Sequence, residues 1–209
     1  MSRPILVFDT ETTGLVNFKR PLDDKCQPHL VQYAGALIDP DTGRVYRALS
    51  TIIQPDGWII PAEAAAVHGI GQQAAMDLGA GLAATLLWHQ HAEHLATGIV
   101  AHNIDFDLAV LEIEGRRTFK RAGLFMMDEA ERKKPIACTM KAGTALCKLP
   151  YPDDTQEEAD RRKAYKWPKL AELYRHLFGE DFEGAHDALE DVRACAKCFA
   201  ELRKKGAIQ

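Results

Sequence analysis

Apolar positions follow two rhythms along this chain. Pro4 to Asp9 is a short continuous apolar run, and His29 to Asp39 and Val45 to Ile53 are longer stretches rich in β-branched and aromatic residues. Asp41-Thr42-Gly43, between the last two, supplies hairpin-turn chemistry. The pattern predicts an antiparallel β-meander at the start. Beyond Pro61 the rhythm changes to Ala- and Leu-rich segments broken by glycines, which predicts helices over Ala62–Val67, Gln72–Asp77 and Leu82–Ala96.

Gly98 to His102 then reads as a short strand, Leu108–Ala122 as a helix, Ile136–Cys138 as a strand and Met140–Cys147 as a helix. Right-handed crossovers place these two strands parallel, in the same sheet as the meander. The expected fold is therefore α/β, with a mixed five-stranded sheet of three antiparallel and two parallel strands flanked by helices. Residues 150–169 turn strongly charged and read as an exposed, mobile insertion. Leu170–Phe178 and Ala188–Lys205 close the chain as helices, separated by the loop Gly179–His186. Residues 1–209 are expected to form a single domain, since this length leaves little room for a second core.

Composition narrows the class. Apolar residues make up 46% and charged residues 27%, which excludes disorder, collagen-like structure and coiled coil. The stretch Leu78–Ala92 is too short and too polar to span a bilayer, and the start lacks a charged lead followed by a long apolar run, so a cytoplasmic location is expected. Five cysteines, an odd number in a chain of this size, read as reduced thiols. Cys195 and Cys198 fall within an apolar helix and read as core packing, not as half of a zinc site. His89, His91 and His94 read as decoration of a solvated helix. The net charge of −4 gives no global attraction to nucleic acid, so any such binding must be local.

Three clusters carry candidate chemistry. Asp9 and Glu11 end the first strand; period-two alternation projects both carboxylates from one face, about 6 to 7 Å apart. Standing alone, the pair reads as a solvated strand end. In His102-Asn103-Ile104-Asp105-Phe106-Asp107, the two acids lie about 200° apart around a helix, so only one of them can point into a given site. Acids favoured in a first helical turn account for them equally well. In His186-Asp187-Ala188-Leu189-Glu190-Asp191, Asp187 and Glu190 have the spacing of an acidic capping box, which leaves Asp191 as the acid that capping does not need.

Taken in order, these segments resemble the motifs of the DEDD superfamily of 3′-5′ exonucleases in its histidine variant, the family of the proofreading epsilon subunit of bacterial DNA polymerase III and of ribonuclease T. The resemblance covers about residues 4 to 200 and implies a ribonuclease H-like fold. It assigns the metal-binding acids to Asp9, Glu11, Asp107 and Asp191 and the catalytic base to His186. The family pattern His-Asn-two residues-Phe-Asp selects Asp107 over Asp105 and brings in Asn103 and Phe106. The turn holding Thr12, Gly14 and Leu15 is implied to grip the 3′ end, and His68, in a segment similar to the family's His-Gly-Ile, to line the terminal-nucleotide pocket.

The resemblance also implies two divalent metal ions, Mg²⁺ or Mn²⁺, which suits four hard carboxylate ligands. His186 would accept a proton from the attacking water, and a nucleoside 5′-monophosphate would leave. The expected substrate is the 3′ end of single-stranded DNA. The alternatives are an RNA-trimming enzyme with the same motifs and a non-catalytic nucleic-acid-binding module. Basic residues at Arg116, Arg117, Lys120 and Arg121, and again from Arg161 to Lys169, are candidates for contacting the strand. Only 18 residues follow Asp191, so no tail for tethering a polymerase is expected.

Overall fold

The computed structural model describes residues 3–123, 125, 134–185 and 187–208. Its strands are β1 (Ile5–Thr12), β2 (Leu30–Ile38), β3 (Val45–Ile52), β4 (Ile99–Ala101) and β5 (Ile136–Cys138). They form one sheet in the order β3-β2-β1-β4-β5. β1 pairs antiparallel with β2, and β2 with β3, while β1 with β4 and β4 with β5 are parallel. The mixed sheet read from the sequence is the one observed.

β1 runs three residues beyond the apolar stretch that marks it in the sequence. Its ladder to β2 continues through Asp9↔Ala34 and Glu11↔Gln32, so backbone pairing carries two carboxylates into the strand. The helices are α1 (Ala62–His68), α2 (Gln72–Leu78), α3 (Leu82–Leu95), α4 (Ile104–Phe119), α5 (Thr139–Cys147), α6 (Gln156–Arg162), α7 (Leu170–Phe178) and α8 (Ala188–Lys204). α4 starts four residues earlier than apolar periodicity suggests, because Asp105 and Asp107 sit in its first turn, where negative charge complements the helix dipole. α6 lies in the charged stretch 150–169. Thr155 caps it in a reciprocal capping box with Glu158.

Alternation in the central strands separates two cores. Leu6 and Phe8 of β1, with Tyr33 and Leu37 of β2, pack on α3 and α4 through Leu86, Leu108 and Leu111. Ile5, Val7, Ala34, Ala36 and Ile38 pack instead on the inner face of α8, formed by Ala188, Val192, Cys195 and Phe199. The cysteines of α8 are core residues, as expected. The histidines of α3 need correction: His89 is fully buried. Its Nδ1 is 2.8 Å from the Tyr33 hydroxyl, and its ring packs edge-on against Phe8 and Phe125. His89 shares the buried face of α3 with Leu86 and Ala92, three residues before and after it, whereas reading the three histidines as one polar group puts it in solvent. Gly35 makes room for this arrangement, since a Cβ there would lie 2.3 Å from the Tyr33 hydroxyl. Among the described residues, no helix is long and apolar enough to cross a membrane.

Candidate active site

Odd-numbered side chains of β1 face α8, so after Ile5 and Val7 the next two are Asp9 and Glu11. α8 presents Ala188, Asp191, Val192 and Cys195 at i, i+3, i+4 and i+7, which places Asp191 on its sheet-facing side at its first turn. The result is a cluster in which Asp9, Glu11 and Asp191 each offer an oxygen within 4.8 Å of the other two.

Asp107 arrives from the opposite side. It belongs to the inner face of α4, only 3% exposed. Its Oδ1 accepts a 2.7 Å hydrogen bond from the hydroxyl of Thr10, the residue between the two β1 acids. Asp107 stands outside the trio of mutually close oxygens, yet its charge is felt there: it helps to raise the pKa of both Asp9 and Glu11. Asp105, one half-turn away, is exposed and pairs with Lys141. The four acids named by the motifs therefore converge at one end of the sheet, three on the α8 face and one on the α4 face. Thr10 is missed by sequence reasoning, although alternation alone places it on the α4 face.

Burial and crowding make this cluster costly when ionised. Burial first, then repulsion from Asp107, Asp191 and Glu11, pushes Asp9 well above the usual carboxylate range. Burial followed by Asp191, Asp107 and Asp187 lifts Glu11 to about 8. Asp107 is lifted to about 7 by burial, against the stabilising bond from Thr10. Like charges at such spacing are relieved by protons or by cations.

Asp187 caps α8, accepting from the backbone of Leu189 and Glu190. The expected capping box is only half made, because the Glu190 side chain pairs with Arg193. His186 lies outside the described residues.

The remaining candidates surround the cluster. The Thr12 hydroxyl donates to the Gly14 carbonyl at 2.7 Å, closing the turn that leaves Leu15 87% exposed. That turn is tied down by His29: its N–H reaches Thr13 Oγ1 at 2.8 Å, and its carbonyl accepts from Thr13. His68 is buried at the end of α1, its Nδ1 accepting from the Ile70 N–H at 3.1 Å. Asn103 is the exposed N-cap residue of α4, and Phe106 is half-buried against the main core.

Desolvation of the half-buried His102 lowers its pKa to about 4, so its ring is neutral near pH 7. Its Nε2 donates to the Pro168 carbonyl at 2.9 Å, which leaves Nδ1 to accept from the Thr139 hydroxyl. The first basic cluster is largely structural. Arg116 pairs with buried Glu112, and Arg117 binds Glu114 and the carbonyls of Gln27 and Pro28.

Comparison with known proteins gives concordant results. The chain matches the RNase_T exonuclease family model over residues 6–199. It is 29% identical over 209 residues to an uncharacterised exonuclease of Escherichia phage 186, covering 97% of this chain and 89% of that one. Escherichia coli exonuclease I in complex with a dT13 oligonucleotide superposes with a TM-score of 0.69 at 21% identity, over 98% of this chain and 41% of that one. A moderately thermophilic exonuclease I from Methylocaldum szegediense gives 0.67 at 19%, covering 97% and 40%. The chain thus spans about two-fifths of the exonuclease I chains, and at this identity the likeness concerns fold.

Proposed function

Because this chain belongs to the exonuclease family, we propose that it hydrolyses single-stranded DNA from the 3′ end, releasing nucleoside 5′-monophosphates with the help of two divalent cations. The observation that carries this reading is the convergence of Asp9, Glu11 and Asp191 within 4.8 Å, with Asp107 beside them. The donor set fits the cations: every ligand offered is a carboxylate oxygen, the hard donor that Mg²⁺ and Mn²⁺ prefer. The raised pKa values fit as well, since burial first and crowding second lift Asp9 and Glu11, burial lifts Asp107, and a bound cation would favour the ionised carboxylates. When bound, such ions polarise the scissile phosphate and lower the pKa of the attacking water.

The chain's own residues do the rest. Asp9, Glu11 and Asp191 hold the charge in place from two rigid elements, and Thr10 orients Asp107 towards them. The Thr12–Leu15 turn, fixed through His29, offers Leu15 as an apolar surface against the terminal base. His68 shapes the neighbouring pocket, and Asn103 and Phe106 border it at the start of α4. His186, placed by its motif one residue before the cap of α8, is the general base. On this reading His186→Ala slows single-turnover cleavage by about 10²- to 10⁴-fold with little change in binding. A rate near wild type removes His186 from the mechanism.

Support for single-stranded DNA comes from the superposition on an exonuclease I bound to an oligodeoxynucleotide. The deciding experiment is digestion of matched, end-labelled DNA and RNA oligomers with Mg²⁺ and with Mn²⁺. Faster loss of DNA is expected. Preferential loss of RNA transfers the same site to RNA trimming, and turnover of neither, with retained binding, leaves a non-catalytic binding module.

A further inference from the structure

A second feature begins at Lys141, which pairs with Asp105 at the start of α4. α5 and α6 enclose a cleft of about 830 Å³. One wall is a single face of α5 and its cap, Lys141, Thr144, Ala145 and Lys148, at i, i+3, i+4 and i+7. The opposite wall holds Lys163, Tyr151 and Tyr165. Asp160 is the acid in this lining, and it accepts from the Tyr165 hydroxyl and from Gln156. Lys148 and Lys163 make no ion pair among the described residues. Tyr151 is 48% exposed.

Among the described residues three lysines have positive φ, Lys120 at the end of α4 and the two that line this cleft. Lys148 and Lys163 sit at helix C-caps with φ of 49° and 52°, a left-handed conformation that favours glycine. A side chain there is strained relative to glycine. The two positions place their charges in the same cleft. Its walls are also pinned to the catalytic end of the sheet. The Pro168 carbonyl, just after Tyr165, accepts from His102 at the end of β4, and Lys141 pairs with Asp105, two residues from Asp107.

We propose that this cleft binds the single-stranded DNA substrate upstream of the scissile phosphate, with Lys148 and Lys163 on its phosphates and Tyr151 stacked on a base. The inference rests on the exonuclease reading and deepens it, by giving the same strand a second, length-dependent hold. From Lys141 to Lys148 the helix rises about 10 Å, which is about three stacked nucleotides at 3.4 Å. Cationic side chains alternating with aromatic ones are what a strand of any sequence needs, since every base has a face and every linkage a charge. It also gives an acidic molecule a local positive surface, since Lys148 and Lys163 line the cleft without an ion pair among the described residues.

Glycine provides the test, because Lys148→Gly with Lys163→Gly removes both charges while easing the backbone. The double variant should melt no lower than wild type. Its affinity for an oligothymidylate of about 20 nucleotides, measured by anisotropy in EDTA, should fall roughly 10-fold, and the slope of log K against log salt should shrink by about 1.4. Tyr151→Ala should weaken the same complex by about 5- to 100-fold with no change in salt slope. Under turnover with Mg²⁺, KM should rise for the long oligomer far more than for one of about 4 nucleotides, while kcat stays level.

Unchanged anisotropy and salt slope, or equal losses on both lengths, overturn the cleft. A wild type that binds the long oligomer through these lysines yet shortens neither oligomer overturns the exonuclease reading and leaves the cleft standing.

Discussion

At the residue scale the site is an arrangement of charges that water alone would not hold together, and it is made specific by one neutral hydroxyl. Thr10 gives Asp107 its bond at 2.7 Å. A hydrogen bond to a charged group is worth about 1.5 to 3 kcal/mol. Thr10→Val should therefore slow turnover by roughly 10- to 100-fold and weaken divalent-ion binding, with Thr10→Ser restoring most of both. Asp107→Ala should abolish turnover and Asp105→Ala should leave most of it; the reverse result would break the assignment. The pH dependence follows from Glu11 at about 8 and Asp107 at about 7, against about 4 in the unfolded chain. Unfolding then releases protons between about pH 4 and 8, so their contribution to stability is full at low pH and lost as pH rises through about 7 to 8. In EDTA the melting temperature should fall from pH 5 to pH 9, and saturating Mn²⁺ should flatten that fall. A flat profile in EDTA would mean that the acids do not crowd one another.

Elements explain why some of this is legible in sequence and some is not. Strand alternation reveals that Asp9 and Glu11 share a face, and the same rule places Thr10 on the other. Which helix covers each face is decided by packing: Ala34 and Ala36 meet α8, while Tyr33 and Leu37 meet α3 and α4. His89 shows the limit. Gln90 and His91 follow it and His94 comes soon after, yet its ring is buried against Phe8 and Phe125 and reaches the Tyr33 hydroxyl across 56 positions of chain. Only the absence of a side chain at Gly35 permits it. Gly35→Ala should cost about 1 to 3 kcal/mol by overpacking, lowering the melting temperature by about 2 to 12 °C, with kcat per folded molecule unchanged. An unaltered melting temperature would show that Tyr33 and Trp88 can give way. α6 is legible from Thr155 and Glu158, a capping box inside a stretch whose charge count alone suggests an insertion without structure.

For the whole molecule, a net charge of −4 and an anionic substrate are reconciled by position. Acids gather at the end of β1, where the proposed cations would be held, and Lys148 and Lys163, without an ion pair among the described residues, line the cleft of α5 and α6. Metal binding should therefore appear as global stability. At 100 times Kd a ligand stabilises the folded state by about 2.7 kcal/mol, or roughly 5 to 11 °C in a chain of this size. The double variant Asp9→Ala, Glu11→Ala should lose that gain; an equal rise in it would place the ions elsewhere. The central claim is that this cluster removes nucleotides one at a time from a 3′ end, and label position tests it most directly. A single-stranded oligodeoxynucleotide labelled at its 5′ end should shorten through every intermediate length when Mg²⁺ is added, while one labelled in its last residue should release labelled 5′-monophosphate from the first turnover. Release of the 5′ label as mononucleotide, internal fragments from the outset, or equal degradation by Asp9→Ala would contradict the account.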